Sequence, residues 1–210
     1  MIRDLYVSMD ELVGRVVEQT GPDEALLVLS DHGFKPFRRC VDLNAWLREH
    51  GYLTLQAGAT TTDMLQGVDW AQTTAYAVGF GGIYLNLEGR EAQGVVPDED
   101  VGAVKAELRD ALLALRDDEG DGARPIGAVH RREQAYSGPY VDEAPDLFVG
   151  FAPGYRSAWK SVTGGLGAAV FSDNTRPWSG DHNMNPADVP GVLFANRALH
   201  GETADITDIA

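Results

Sequence analysis

Apolar residues recur at helical spacing near the start of the chain. Between residues 4 and 19 one face carries Leu5, Met9, Leu12, Val13, Val16 and Val17, and the other carries Asp10, Glu11, Arg15 and Glu18. This pattern predicts an amphipathic helix, which Gly21-Pro22 ends. The apolar run 25–29 follows, bounded by a turn and a polar motif, as is typical of a strand buried on both faces. Helix, turn and buried strand in succession indicate an α/β fold.

The rest of the chain continues to alternate between helices and strands. We predict helices over 42–49, closed by Gly51, and from Pro97 to about Arg116. Strands are predicted over 83–87, 126–131, 147–151 and 190–195, the last of them buried, whereas 57–69 and 152–189 are predicted to be mostly loop. The organisation that follows is a single domain over residues 1–210, with 90–145 as a candidate cap or insert subdomain.

Charge and composition narrow the classes of partner. The chain has 32 acidic and 17 basic side chains, a formal net charge of −15 that repels nucleic acid polymers and anionic lipid surfaces. Bound divalent metals can cancel this field locally for a small phosphorylated substrate. The single cysteine, Cys40, excludes an intrachain disulfide and a cysteine-based zinc site. No apolar run approaches the roughly 20 residues of a membrane span and no signal peptide is evident, which favours the cytoplasm.

The candidate chemistry lies just after the apolar run 25–29, in the motif Ser30-Asp31-His32-Gly33. Ligands in open α/β sheets bind beyond the carboxyl ends of the strands. Adjacent Asp and His side chains project in different directions and can serve two neighbouring metals, and Gly33 allows a tight turn beneath them. A second histidine, His182, precedes the final predicted strand and is either a further ligand or an ordinary surface residue. One carboxylate and two imidazoles are too few for a paired-metal centre, which needs about three protein ligands per ion.

Further motifs are spread over nearly the whole chain. They occupy residues 5–14, 29–34, 43–47 and 82–91, then Tyr136-Ser137-Gly138-Pro139-Tyr140, residues 144–147, and Asn174-Thr175-Arg176-Pro177-Trp178-Ser179-Gly180-Asp181-His182. In these segments the chain resembles the type I phosphodiesterase and nucleotide pyrophosphatase branch of the alkaline phosphatase superfamily. The resemblance implies part of an alkaline-phosphatase-like sandwich, with a largely parallel central sheet flanked by helices.

The resemblance also implies a function. Members of the family hydrolyse phosphoesters with two divalent metals, usually zinc and sometimes manganese, while a Thr or Ser hydroxyl attacks in line. Asp31 and His32 match the ligands of the first metal, and His182 matches a ligand of the second. Lys35, Arg38 and Arg39 are candidates to steer an anionic substrate, the alternative being a solvated or salt-bridged basic loop. Asp181 is a candidate to orient the imidazole of His182, or else it caps the loop.

The chain also departs from the family pattern. The nucleophile and the first metal-binding Asp of the family match no residue here, so we expect the C-terminal part of the enzyme, with the N-terminal half missing. Such a chain binds one metal or none and is inactive by itself, and its exposed surface favours self-association. Alternatives are a phosphoglycerate mutase-like or sulfatase-like enzyme, or a non-catalytic α/β binding module; the motifs at 136–140 and 174–182 favour the phosphodiesterase branch.

Overall fold

In a computed structural model of the protein, residues 2–59, 63–120, 122–199 and 205 are described. These residues form four α-helices: α1 (Ile2–Gln19), α2 (Leu43–Glu49), α3 (Val101–Ala114) and α4 (Arg132–Ala135). They also form ten strands: β1 (Leu27–Ser30), β2 (Lys35–Val41), β3 (Ala75–Val78), β4 (Gly82–Leu85), β5 (Ile126–Arg131), β6 (Leu147–Phe151), β7 (Gly154–Ser157), β8 (Phe171–Asp173), β9 (Gly180–Asp181) and β10 (Val192–Ala195). The chain divides into two compact units, Met1–Gly33 with Pro190–Ala210 and Phe34–Val189.

The first unit combines a long helix with a two-stranded ladder. Helix α1 confirms the amphipathic helix predicted over 4–19, although none of its residues is buried. Strands β1 and β10 pair antiparallel, with Ser30 opposite Val192. The prediction that both strands are buried was wrong: Leu29 is 42% exposed and Phe194 is 64% exposed. A two-stranded ladder gives each strand only one neighbour, so it does not bury an apolar run on both faces.

The second unit contains an antiparallel sheet in the order β3-β4-β6-β5. Helix α2 contacts β3 and helix α3 contacts β5. Strands β3 and β4 form a hairpin, of which only the second strand was predicted. Its turn includes Gly81, which has a φ of 149°, and a Cβ there would lie 2.6 Å from the Val149 carbonyl oxygen. The predicted strands over 126–131 and 147–151 are confirmed as β5 and β6.

A further sheet in the second unit is built on β2, which pairs with β7, β8 and β9. The stretch 152–189 was predicted to be mostly loop and no element was predicted over 35–41, so the strands in both stretches were missed. Among the ladders of the described residues, only β2–β7 is parallel. The α/β class is confirmed, while this pairing differs from the expected largely parallel sheet. Parallel strands need a long crossover connection, and the short turn between β3 and β4 permits only antiparallel pairing.

Buried polar side chains anchor the connections of the second unit. Asp42 caps α2, because its Oδ1 accepts the N–H of Ala45 at 2.9 Å. The side chain of Asn44 bonds both the N–H and the carbonyl of Ala77, at 2.7 and 2.9 Å. Asp146 is fully buried, and its Oδ2 accepts the N–H of Leu85 at 2.8 Å. These bonds fasten α2 to β3 and β6 to β4 through residues that belong to the family motifs.

Residues 90–145 contribute α3, β5 and α4 to the second unit, and β5 pairs with β6. Helix α3 confirms the helix predicted from Pro97, with its first turn, Asp98–Asp100, in 3-10 form. Within the described part of the chain, no helix is long and apolar enough to cross a membrane.

Candidate metal centre

The end of strand β1 determines where Asp31 and His32 lie. The Ser30 hydroxyl oxygen accepts the N–H of Val192 at 3.1 Å, which fastens this end of β1 to β10. Gly191 lies so close that a Cβ at its position would overlap the Ser30 carbonyl oxygen. The ladder therefore fixes the backbone from which the Asp31 and His32 side chains project.

The carboxylate of Asp31 and the imidazole of His32 face each other. His32 Nε2 lies 3.6 Å from Asp31 Oδ2. Two ligand atoms that are each about 2.1 Å from one tetrahedral ion are about 3.4 Å apart, so this spacing fits the chelation of a single divalent metal. It differs from the geometry expected from the residues alone, in which the two side chains serve different ions.

A backbone carbonyl selects the tautomer of His32. The Nδ1 atom lies 3.0 Å from the Gly33 carbonyl oxygen, which can only accept a hydrogen bond. The ring proton is therefore on Nδ1 and the lone pair on Nε2, the arrangement usual in metal-ligating histidines. The Asp31 side chain is 72% exposed and that of His32 is 31% exposed, so an ion from solvent can reach the pair. These two residues fit a divalent metal by donor type, spacing and tautomer.

His182 begins a turn after β9 in the second unit. Asp181 Oδ1 accepts the backbone N–H of His182 at 2.8 Å and that of Asn183 at 3.0 Å, together with the side-chain amide of Asn183 at 2.9 Å. The Phe34 ring packs edge-on against the imidazole with centroids 5.7 Å apart. The His182 side chain is 42% exposed, and it is thus both held by neighbours and accessible.

Asp181 makes the contacts of a loop cap. Its Oδ1 lies 3.7 Å from His182 Nδ1, which is too far for a hydrogen bond. Its Oδ2 lies 2.9 Å from Nε of Arg156, and both residues are buried. The contacts favour the loop-capping alternative for Asp181 over direct orientation of the imidazole. Sequence reasoning missed Arg156, because no motif marks it and its segment was predicted as loop.

The structure brings Asp31 and His32 together as a pair, whereas His182 belongs to the second unit. In the described residues, no group of three His, Cys, Asp or Glu side chains is arranged to hold a metal ion. The chemistry that these residues offer is thus a two-donor site at Asp31 and His32, and a single imidazole at His182.

The three basic candidates lie on β2 in two different environments. Arg39 contacts three carboxylates: it binds Asp117 through two nitrogens, Glu119 at 3.1 Å and Asp173 at 2.7 Å. Burial acts to lower the pKa of its guanidinium, but these hydrogen bonds outweigh that effect and raise it. They favour the salt-bridged alternative for Arg39. Lys35 and Arg38 are exposed, and neither forms an ion pair with any residue that the structure describes.

Comparison with known proteins gives one family match. A family model described as type I phosphodiesterase / nucleotide pyrophosphatase matches residues 2–182. No curated protein and no solved structure matches the chain. The match spans most of the 210 residues and includes Asp31, His32, Asp181 and His182. The chain therefore belongs to the type I phosphodiesterase / nucleotide pyrophosphatase family, a branch of the alkaline phosphatase superfamily.

Proposed function

We propose that this chain takes part in metal-dependent hydrolysis of small phosphoesters, with Asp31 and His32 ligating one divalent ion and His182 ligating a second. Family membership indicates a phosphoester hydrolase. The observation that carries the metal assignment is the 3.6 Å spacing of His32 Nε2 and Asp31 Oδ2, together with the bond from Nδ1 to Gly33. Zinc suits one carboxylate and one imidazole, and manganese is the second choice.

The roles of the chain's own residues follow from this geometry. Asp31 supplies an anionic oxygen and His32 a neutral nitrogen, while the Gly33 carbonyl keeps the ring proton on Nδ1. When bound, a divalent metal withdraws charge from a phosphoryl oxygen. The net charge of −15 acts against a nucleic acid polymer as substrate, because its repeated phosphates are repelled over the whole surface. Lys35 and Arg38 are proposed to attract the small anionic substrate.

We further propose that the attacking hydroxyl is not among the residues of this chain. The family places its nucleophile beside a metal-binding Asp in an N-terminal motif, and no segment of the 210 residues matches that motif. Ser30 carries the hydroxyl nearest in sequence to Asp31 and His32. Its oxygen accepts the Val192 N–H within the ladder. The 210 residues alone are thus expected to bind metal without hydrolysing substrate.

Metal content and turnover test this proposal together. The chain is loaded with Zn²⁺ or Mn²⁺ and dialysed, and its metal content is measured beside its activity on bis-p-nitrophenyl phosphate. We expect bound metal but no turnover above that of the free ion. Asp31→Asn and His32→Ala should lower the metal content, whereas Asp23→Asn should not, since Asp23 is an exposed aspartate of the same unit. Metal content unchanged in both site variants would refute the metal assignment, and turnover by the unaltered chain above that of the free ion would refute the proposal that the attacking hydroxyl is absent.

The apolar face of α1 supports a further proposal, that copies of this chain associate. Leu5, Met9, Leu12 and Val16 recur at helical spacing and are each 43–61% exposed. Contiguous exposed apolar surface usually marks an interface.

Light scattering after size-exclusion chromatography tests this association. We expect a mass above that of one 22.7 kDa chain, reduced by Leu12→Glu, because a charge in the apolar face opposes burial. Glu11→Gln, on the polar face, should leave the mass unchanged. A single-chain mass at a concentration of about 100 μM would contradict the proposal, since specific interfaces of ordinary size are populated well below it.

A further inference from the structure

Arg156 is a buried charge that the proposed function does not use. It lies on β7, only 1% exposed, and is opposite Cys40 of β2 in the parallel ladder. The centre of its guanidinium lies 3.7 Å from the Trp159 ring centroid and 5.1 Å from that of Phe37. A cation that contacts two aromatic rings is confined in position, because its planar group stacks and does not rotate freely.

The charge of Arg156 is balanced by Asp181, which is 4% exposed. Arg156 Nε lies 2.9 Å from Asp181 Oδ2, but the N–H is not aligned on the oxygen, so the contact is an ion pair and not a hydrogen bond. No hydrogen-bond partner is present for Arg156 Nη1 among the described residues. A buried charge is costly unless it is paired, so the Asp181 carboxylate stays next to the Arg156 guanidinium.

The two carboxylate oxygens of Asp181 contact different partners. Oδ2 faces Arg156, while Oδ1 accepts all three N–H groups that fold the turn at His182 and Asn183. Asp181 also pairs with Lys35 in the ladder between β9 and β2. The position of the imidazole is thus linked to the sheet through a buried ion pair, and not through a direct bond from Asp181 to the ring.

We propose that Arg156 is a positioning residue for His182: by fixing Asp181, it sets the turn that presents the imidazole to a divalent metal. This inference rests on the proposed function, in which His182 is a metal ligand. Trp159 and Phe37 fix the position of the Arg156 guanidinium, and the guanidinium fixes the Asp181 carboxylate. That carboxylate in turn accepts the backbone N–H of His182. Residues that orient a metal ligand typically change metal affinity by 10–100-fold when they are substituted.

The test follows the ring nitrogens of His32 and His182 by ¹H–¹⁵N NMR while Zn²⁺ is added to the whole chain. In Arg156→Met, we expect the Zn²⁺ concentration that half-saturates the His182 response to rise at least tenfold. The response of His32 should not change. Arg156→Lys keeps the charge without the planar group and should show a smaller rise than Arg156→Met. Because Arg156 and His182 lie in the same compact unit, the dispersed amide signals of β2 and β7 are recorded in each variant to show that this unit stays folded.

Arg176 provides the matched control. Its guanidinium also lies over the Trp159 ring, 4.4 Å from the centroid, but it forms no ion pair with Asp181 in the described residues. Arg176→Met should therefore leave both histidines with the response of the unaltered chain.

The possible results separate this inference from the function on which it rests. If neither histidine of the unaltered chain responds to Zn²⁺, the proposed function fails, and the inference fails with it. If both respond and Arg156→Met does not alter His182, only the positioning role is overturned. It is also overturned if Arg156→Met and Arg156→Lys both abolish the dispersed amide signals of β2 and β7, because Arg156 then maintains the sheet and not the turn.

Discussion

Buried carboxylates of this acidic chain are held by specific cations at the scale of single residues. Asp117 pairs with Arg39, and Asp181 with Arg156. Asp146 Oδ2 accepts a hydrogen bond from Arg90 Nη2 at 2.8 Å. In each pair the aspartate is nearly inaccessible, and each pair joins segments that are distant in sequence. Removal of Arg39 or Arg156 leaves a buried carboxylate without its cation, so the fold needs both arginines whatever else they do. Asp146 also has Lys105 at 3.6 Å and Arg132 at 3.8 Å.

Arg39→Met distinguishes this structural role from the substrate-steering role that the sequence suggested. The substitution leaves the fully buried Asp117 without its main partner, and we expect a loss of about 3 kcal/mol in the free energy of unfolding. Arg38→Met, on the exposed side of the same strand, should cost less than about 0.5 kcal/mol. Urea unfolding followed by circular dichroism measures both. If Arg39→Met left the free energy of unfolding unchanged, the stability of the fold would not depend on the ion pairs of Arg39.

The sequence predicted some residue roles and not others for a physical reason. Asp31 and His32 are neighbours, so one local motif was enough to mark them as candidates. The environment of Arg39 depends on Asp117, and that of Arg156 on Trp159 and Asp181. The sequence shows which residues are charged, but it does not show which oppositely charged residue folding will bring beside each of them.

Local signals also decided which elements could be predicted. Helix α2 has a capping aspartate, Asp42, and helix α3 directly follows an acidic 3-10 turn, Asp98–Asp100, so their positions were evident. Strands β2 and β7 were missed because each carries at least one arginine and gains its stability from partners elsewhere in the chain. The burial of β1 and β10 was overstated, since an apolar run does not reveal how many neighbours a strand will have.

Gly191 allows the close approach of β10 to the end of β1, from which Asp31 and His32 project. A Cβ there would overlap the Ser30 carbonyl oxygen and lie 3.1 Å from the Asp31 carbonyl carbon, so Gly191→Ala must displace the backbone. We expect faster hydrogen exchange of the Val192 amide and weaker Zn²⁺ binding at His32.

Gly14→Ala is the control for this prediction, because a Cβ at Gly14 meets no atom within 4 Å. It should stabilise α1 slightly, since alanine favours helix by about 1 kcal/mol over glycine, and it should not alter Zn²⁺ binding. Unchanged exchange at Val192 in Gly191→Ala would mean that the ladder accommodates the methyl group, and the supporting role of Gly191 would be refuted.

At the scale of the whole molecule, the candidate metal ligands are divided between the two compact units. The first unit carries Asp31 and His32 at the end of its ladder, and the second carries His182 on a turn built on β2. The family match extends across both units, from residue 2 to residue 182. The motifs that revealed the family include structural anchors such as Asn44 and Asp146 as well as the candidate ligands, which is why the resemblance covers so much of the chain.

We expect His32 to bind a divalent metal through Nε2, with Asp31 as the second ligand and the Nδ1 proton bonded to the Gly33 carbonyl. Long-range ¹H–¹⁵N NMR of the histidine rings during a Zn²⁺ titration tests it most directly. We expect a metal-dependent shift of His32 Nε2, retention of the proton on Nδ1, and loss of the shift in Asp31→Asn but not in Asp23→Asn. Coordination through Nδ1, or the absence of any His32 shift at millimolar Zn²⁺, would contradict it.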